Sequence, residues 1–204
     1  MHYTLNSLIY RNNIDPILSS YYSAITDEIA GGERVIDIAS GTGSLGLAIA
    51  GKGADVTGID LSEEMVEIAG KLAEKRGIEN AEFLLRDAGE LSAYTDNEFD
   101  VAVTSMAVHQ FDEELAVKIL KEMKRIAGRI IIMDYNYPIK KFFPRMVVWI
   151  IERIAGGDHY RNFRNYNRLG GADHFIEKAG LKTTREKLSE KSTFRVVLAQ
   201  DRQL

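Results

Sequence analysis

The stretch that most constrains the fold of this chain covers residues 34–50 and reads RVIDIASGTGSLGLAIA. It begins with a short β-branched run, which is typical of a parallel strand that is buried on both faces. Gly41 and Gly43 follow, and they allow a tight turn in which the backbone itself can approach a ligand. Leu45 and Ile49 then lie at helical spacing. Because a helix N-terminus behind a glycine turn is a ready site for a nucleotide-like ligand, the stretch predicts such a site.

Two classes of cofactor are compatible with this turn. Gly41, Gly43 and Gly46 have the spacing G-x-G-x-x-G, and an acid that could bind a ribose follows at Asp60, so a dinucleotide is one candidate. Asp37 favours the other class, because a carboxylate at the mouth of a strand costs desolvation unless it meets a donor or a cation. S-adenosylmethionine (SAM) brings an ammonium and a sulfonium group, whereas a pyrophosphate would be repelled. We therefore expect SAM, since a purely structural turn would not explain two acids at strand ends.

Composition narrows the classes of function. With 204 residues, 45% of them hydrophobic, the chain can bury a sizeable core as a single domain over residues 1–204. The net charge of −4 makes a nucleic acid an unlikely partner. The chain has no cysteine, which excludes disulfides and cysteine-ligated metals and fits a cytoplasmic location. Neither a secretory signal nor a membrane-spanning stretch is apparent, and no metal-ligand cluster is recognisable.

Alternating strand and helix patterns predict an α/β fold with a doubly wound parallel sheet. The five predicted strands of this alternation cover residues 35–38, 54–59, 81–85, 99–103 and 130–133. Two further strands, predicted over residues 181–188 and 193–200 with a polar turn between them, form a C-terminal hairpin. Residues 4–30 have helical spacing and predict an N-terminal helical cap within residues 1–30. Ser62, Asp112 and Asp158 are predicted N-caps, while Gly77 and Gly128 are predicted to end helices.

Polar residues occur at the carboxyl end of each strand in the alternating part of the chain. In an open parallel sheet this edge is where ligands bind, so their shared position favours a binding site more than any single motif does. Asp60 can accept hydrogen bonds from both hydroxyls of a ribose. The residues that share this edge are Asp37, Asp60, Asp87, Ser105 and Asp134.

The segment over residues 137–180 is the least regular part and is predicted to be a lid that contacts the substrate. Residues 142–151 are apolar nearly all round, which predicts a buried cap helix. The alternative is a wall for a hydrophobic substrate or for a membrane surface. Tyr160, Phe163 and Tyr166 recur every three residues with Arg161 and Arg164 between them. They predict a lid helix, and a substrate-contacting lid or a nucleic-acid surface are the alternatives.

The motif V-I-D-I-A-S-G-T-G resembles the first motif of class I SAM-dependent methyltransferases. Over about residues 34–135 the chain is most similar to the ubiquinone/menaquinone C-methyltransferase family, while residues 137–180 depart from it. The resemblance implies a Rossmann-like seven-stranded sheet, mostly parallel with a C-terminal antiparallel hairpin, together with N-terminal helices and a helical lid. It also implies methyl transfer from SAM to a small-molecule acceptor, with S-adenosylhomocysteine as the product. The apolar residues 142–151 make a hydrophobic acceptor a candidate.

The resemblance also implies roles for individual residues. An Asp-Ala pair at Asp87 and Ala88 would hold adenine, and an early tyrosine, Tyr10, would reach the methionine carboxylate. The end of the fourth strand would lie beside the transferred methyl group. The cofactor-binding set is Tyr10, Asp37, Ala39, Ser40, Gly41, Thr42, Gly43, Asp60, Leu61, Met65, Asp87, Ala88, Ser105 and Met106. The candidate substrate contacts are His109, Tyr135, Tyr160, Arg161 and Arg164.

His109 is the best placed titratable group for a general base, should the acceptor need one. The alternative interpretation is an ordinary histidine at a helix start. Two other functions are compatible with the sequence: a SAM-binding accessory or sensor protein without turnover, and an NAD-dependent oxidoreductase.

Overall fold

A computed structural model of the protein describes residues 18–189 and 192–201. Tyr10 and the first part of the predicted N-terminal cap lie outside the described residues. The single-domain organisation of residues 1–204 therefore stays a prediction. Within the described part, Leu18, Tyr22 and Ile25 are buried against the sheet, as the helical spacing of this segment predicts.

In the described part of the chain, seven strands form one sheet in the order β3-β2-β1-β4-β5-β7-β6. Neighbouring strands among the first five are parallel, and β7 is antiparallel to both β5 and β6. The predicted doubly wound sheet with a C-terminal hairpin is thus confirmed. The strands are β1 (Arg34–Ile38), β2 (Asp55–Asp60), β3 (Ala81–Leu85), β4 (Phe99–Ser105), β5 (Ala127–Tyr135), β6 (Leu181–Leu188) and β7 (Phe194–Asp201).

Helices connect the parallel strands, and the predicted caps explain where two of them begin. Ser62 Oγ accepts a hydrogen bond from the Met65 amide at 3.3 Å, and Asp112 Oδ1 accepts one from Leu115 at 2.9 Å. Gly77 ends the first of these helices in the left-handed conformation, with φ of 65°. The helices are α1 (Ser23–Thr26), α2 (Ser44–Ala50), α3 (Glu63–Arg76), α4 (Glu113–Ile126), α5 (Phe142–Ala155), α6 (Gly157–Leu169) and α7 (Ala172–Lys178).

Two predicted boundaries were wrong. Gly128 does not end α4, because β5 already begins at Ala127, where it pairs with the first residue of β4. Pairing with β4 and β7 extends β5 over nine residues. Asp158 does not cap α6, since the helix begins at Gly157, and its carboxylate instead lies 2.9 Å from the Arg161 guanidinium.

The prediction of a buried cap helix over residues 142–151 was also wrong. Phe143 is 67% exposed and Trp149 is 48% exposed, whereas Val148 and Glu152 are the buried residues of α5. Only one stripe of α5 faces the fold, where α6 packs against it. The remaining apolar side chains therefore form an exposed face of the lid, and the alternative of a wall for a hydrophobic substrate or a membrane surface stays a prediction. Across the described residues, none of the helices combines the length and the apolar character that a membrane span requires.

Candidate active site

The glycine turn between β1 and α2 is closed by the backbone. The Gly43 amide donates to the Ser40 carbonyl at 2.9 Å, and the Ser40 amide donates to Ile59 at 2.9 Å. Gly43 has φ of 74°, and a Cβ atom at this position would lie 2.7 Å from Ala69 and from the Phe83 ring. Only glycine combines this backbone conformation with such close packing, so the turn is held tightly against β3 and α3.

Asp60, the last residue of β2, ties this turn to the neighbouring strand. Its carboxylate accepts a hydrogen bond from the Gly41 amide at 2.7 Å and another from the Ser62 amide at 2.9 Å. Burial raises the pKa of Asp60, while these backbone donors counteract the rise. The carboxylate is therefore fixed at the carboxyl edge of the sheet beside the glycine turn.

Asp37 is the most unusual carboxylate of this edge. It is only 1% exposed, and its Oδ2 atom has no hydrogen-bond partner among the described residues. Burial, together with the nearby charge of Asp60, raises the pKa of Asp37 to about 8, although the Gly46 amide partly opposes the rise. Among the described residues, the Oδ2 atom therefore has neither a donor nor a cation to offset its desolvation.

A narrow cleft joins Asp37 to the turn and to the end of β4. The Oγ atoms of Ser40 and Ser105 also line it and are buried without a hydrogen-bond partner among the described residues. Three unsatisfied polar side chains in one cleft point to a polar ligand. The cavity holds about 30 Å³, so a ligand larger than water must displace side chains. The lining residues are Tyr22, Asp37, Ala39, Ser40, Gly41, Thr42, Ser44, Leu45 and Ser105.

The other predicted cofactor residues lie beside this cleft or farther along the same edge. Leu61 is 72% exposed just beyond Asp60. Asp87 is exposed after β3, where its Oδ1 atom accepts a hydrogen bond from the Gly89 amide at 2.7 Å. Met106 is buried after β4 with φ of 56°. The structure thus brings the β1, β2 and β4 candidates around the turn and leaves Asp87 and Ala88 at the outer strand.

His109 belongs to a second, buried group of side chains beneath the lid. It lies in a 3₁₀ turn over Val108–Gln110 and is 1% exposed. Its Nδ1 atom is 2.6 Å from Asp134 Oδ1, and its backbone amide donates to Asp134 Oδ2 at 3.1 Å. Burial by itself would lower the pKa of His109, but the Asp134 carboxylate and the more distant Glu152 raise it overall. His109 is therefore not an ordinary solvent-exposed histidine at a helix start.

Three further side chains complete this group. The Tyr135 hydroxyl donates to Glu152 Oε1 at 2.8 Å, and His109 Nε2 lies 3.6 Å from the same oxygen. The other carboxylate oxygen of Glu152 is 2.7 Å from His159 Nε2. The sequence analysis did not identify Glu152 or His159, because they lie on two different helices and form no recognisable spacing with His109. In the fold, one ligand atom of each of these three residues lies within 4.8 Å of the other two. The expectation that the protein holds no metal stays a prediction.

The lid helix α6 places its aromatic residues towards the fold and its arginines towards solvent. Phe163 and Tyr166 are buried, and the Tyr166 hydroxyl donates to the Tyr135 carbonyl at 2.8 Å. Tyr160 is partly buried, whereas Arg161 and Arg164 are exposed.

A larger, shallow concavity of about 580 Å³ lies at the opposite end of the sheet, beside α4 and β7, and is remote from the groups described above.

Comparison with known proteins agrees with this architecture. A family model described as "Methyltransferase domain" matches residues 29–188. The C-methyltransferase of ubiquinone/menaquinone biosynthesis from Geobacter sp. (strain M21) is 31% identical over 149 residues, which are 68% of this chain and 62% of that protein. A ubiquinone biosynthesis O-methyltransferase from Paraburkholderia phymatum is 31% identical over 156 residues, covering 74% of this chain and 66% of the relative. The alignments thus span less than two thirds of the length of these relatives.

Solved structures share the fold at lower identity. A SAM-dependent methyltransferase from Aquifex aeolicus superimposes with a TM-score of 0.61 at 22% identity, covering 87% of this chain and 88% of that one. The magnesium protoporphyrin IX methyltransferase of Synechocystis PCC 6803, solved with bound S-adenosylhomocysteine, gives a TM-score of 0.63 at 20% identity. That match covers 92% of this chain and 83% of the other.

Proposed function

The chain belongs to the methyltransferase-domain family, among the class I SAM-dependent methyltransferases, and on that premise we propose that it transfers a methyl group from SAM to a small-molecule acceptor. SAM supplies the methyl group on a sulfonium and leaves as S-adenosylhomocysteine. The observation that carries the proposal is the buried Asp37 carboxyl group, whose Oδ2 atom has no hydrogen-bond partner in the cleft beside the glycine turn. A ligand with an ammonium group supplies the missing partner, whereas the phosphates of a dinucleotide would be repelled.

Different residues along the sheet edge are proposed to bind different parts of SAM. We propose that Asp37 binds the ammonium group and that Asp60 accepts hydrogen bonds from the ribose hydroxyls. Asp87 and Ala88, at the end of the outer strand, would hold the adenine. The glycine turn, whose tight packing excludes a Cβ atom at Gly43, allows the backbone to approach the cofactor. The other predicted cofactor residues of the turn and of the β4 end contribute to the same surface.

The acceptor is proposed to be a hydrophobic small molecule. The exposed apolar face of α5, which includes Phe142, Phe143, Trp149 and Ile154, supports this class of acceptor because it offers apolar area on the lid itself. The relatives are named for ubiquinone and menaquinone biosynthesis, which is consistent with an apolar acceptor. The net charge of −4 disfavours a nucleic acid. A cytoplasmic location stays a prediction from the sequence.

Alignment of the acceptor with the sulfonium and exclusion of water are the main tasks of the protein in such a transfer. We propose that the lid helices α5 and α6, with Tyr160, Arg161 and Arg164, contribute to the acceptor site. Tyr135 contributes indirectly, because its hydroxyl is hydrogen-bonded to Glu152 and its side chain is buried. His109 can act as a general base only if the acceptor replaces Glu152 as the neighbour of its Nε2 atom.

Calorimetric titration with S-adenosylhomocysteine tests the cofactor site. We expect binding in the wild type and its loss in Asp60→Ala, because that variant removes the acceptor proposed for the ribose hydroxyls. The matched control is Asp55→Ala, an exposed aspartate at the other end of the same strand, which should bind like the wild type. Absence of binding in the folded wild type at millimolar ligand would contradict the proposed site.

Turnover is then measured as transfer of labelled methyl from SAM to a panel of hydroxylated and quinol-type aromatic acceptors. Product formation supports the enzyme. Retained cofactor binding without product over the whole panel would favour a SAM-binding protein without turnover.

A further inference from the structure

The buried group beneath the lid contains three side chains that can each donate a lone pair to one metal ion. His109 follows β4, Glu152 belongs to α5 and His159 belongs to α6. One nitrogen or oxygen atom of each lies within 4.8 Å of the other two. Imidazole nitrogen and carboxylate oxygen are ordinary ligands of divalent zinc and of its neighbours in the first transition row.

Two neighbours hold the ligands in the orientation that metal binding needs. Asp134 Oδ1 lies 2.6 Å from His109 Nδ1, so the Nε2 atom of that ring faces Glu152. The Tyr135 hydroxyl donates to Glu152 Oε1 at 2.8 Å and restrains the carboxylate. A carboxylate behind a ligating histidine and a hydrogen bond to a ligating carboxylate are the usual supports of a metal site.

An unsatisfied atom gives independent evidence. Glu152 is 3% exposed, and its Oε2 atom accepts no hydrogen bond of regular geometry within the described residues, although His159 Nε2 lies 2.7 Å away. The buried carboxylates of Asp134 and Glu152 carry a total charge of −2, which one divalent cation would balance, since imidazoles that bind a metal are neutral. Buried charges require such compensation.

We propose that His109, Glu152 and His159 bind one divalent transition-metal ion of the zinc type, which fastens the lid helices α5 and α6 to the sheet. The His159 side chain is 30% exposed and gives the ion a path from solvent. Three protein ligands leave a coordination position for water. An imidazole whose Nε2 atom is bound to a metal cannot accept a proton there, so His109 is not the general base of the metal-loaded protein.

Metal content tests this site directly. The untagged full-length protein is stripped with a chelator, equilibrated with Zn²⁺ and analysed for bound metal after removal of the free ion. We expect about one equivalent per chain in the wild type. Glu152→Gln and His159→Gln should each lose it, with circular dichroism as the check of folding. The matched control is His174→Gln, because His174 pairs with Glu113 at 2.7 Å in a partly exposed position where the described part of the chain supplies no third ligand.

A second readout tests the connection to the lid. Zn²⁺ should slow amide hydrogen exchange over residues 142–169 in the wild type and leave it unchanged in His159→Gln. Co²⁺ should produce the visible absorption of a low-coordinate site in the wild type and in the His174→Gln control. Wild-type protein that binds no metal, or a His159→Gln variant that retains the full equivalent, would overturn the proposal. The inference does not rest on the proposed methyl transfer, which the cofactor titration tests separately.

Discussion

Binding of the cofactor should release a proton from Asp37. The pKa of this carboxyl group is about 8 in the free protein, chiefly because the group is buried, with the charge of Asp60 as the second cause. An ammonium group placed against Oδ2 would stabilise the carboxylate and lower the pKa again. The carboxyl group is therefore protonated before binding at neutral pH and ionised afterwards.

The size of the effect follows from that pKa. At pH 7 a group of pKa about 8 is roughly nine-tenths protonated, so each molecule bound should release roughly 0.9 proton. The apparent dissociation constant should fall about ninefold between pH 6 and pH 7, since protonated Asp37 competes with the ligand. Measurements stay at or below pH 7, where the α-amino group of the ligand is protonated and does not contribute to the proton release.

The assay is calorimetric titration with S-adenosylhomocysteine in buffers of different ionisation enthalpy, at pH 6 and at pH 7. In the variant Asp37→Asn, the asparagine side chain is nearly the same size as protonated aspartate but cannot titrate. The variant should therefore bind S-adenosylhomocysteine more weakly and show neither the proton release nor the pH dependence. Equal proton release in the wild type and in Asp37→Asn would refute the reasoning. A wild type that releases no proton would refute it as well.

The same carboxyl group should make the stability of the free protein depend on pH. The folded pKa of Asp37 lies above the unfolded value. The contribution of this group to the free energy of unfolding is therefore complete below the unfolded pKa of about 4, and it is lost as the pH rises through the folded pKa of about 8. At about 1.4 kcal/mol per pKa unit, the upper limit of the loss is about 6 kcal/mol. Urea denaturation should accordingly find Asp37→Asn more stable than the wild type at pH 8, but not at pH 4.

Two substitutions test the packing that surrounds the site. Gly43→Ala should destabilise the protein by at least about 2 kcal/mol in urea denaturation, because its Cβ atom would lie 2.7 Å from two side chains at a positive φ. The control Gly70→Ala, in a helix with open space around the added atom, should instead be neutral or stabilising by up to about 1 kcal/mol. Phe143→Ser should change stability by less than about 0.5 kcal/mol, since its side chain is exposed, whereas Val148→Ala on the buried stripe of the same helix should cost at least about 1 kcal/mol. Equal losses in these last two variants would contradict the exposed face of α5.

The local features of the cofactor half are predictable from the sequence. The β-branched run before Gly41, the helical spacing after it and the capping residues Ser62 and Asp112 each act over a few neighbouring residues. Their effects on the backbone are short-range, so the structure reproduces them. The positions of Asp37 and Asp60 at one sheet edge follow as well, because parallel strands place their carboxyl ends together.

The lid shows where prediction from the sequence fails. An apolar pattern such as that of residues 142–151 indicates burial only if the fold supplies partners on every side of the helix. In the structure α5 packs against α6 along one stripe only, so Phe143 and Trp149 lie at the surface. The early start of β5 has a similar cause, since pairing with β4 from Ala127 onwards includes Gly128 in the strand.

The sequence by itself determined the alternation of strands and helices, the glycine turn and the acids at the strand ends, because periodicity and turn chemistry are properties of adjacent residues. Only the tertiary structure decided that His109, Glu152 and His159 meet, that one oxygen of Asp37 is buried without a partner among residues 18–189 and 192–201, and that one face of α5 is exposed. These features depend on contacts between residues that are far apart in the chain. The packing of α5 and α6 on the sheet brings His109, Glu152 and His159 together, whereas the glycine turn and the end of β4 enclose Asp37. No local pattern in the sequence encodes either arrangement.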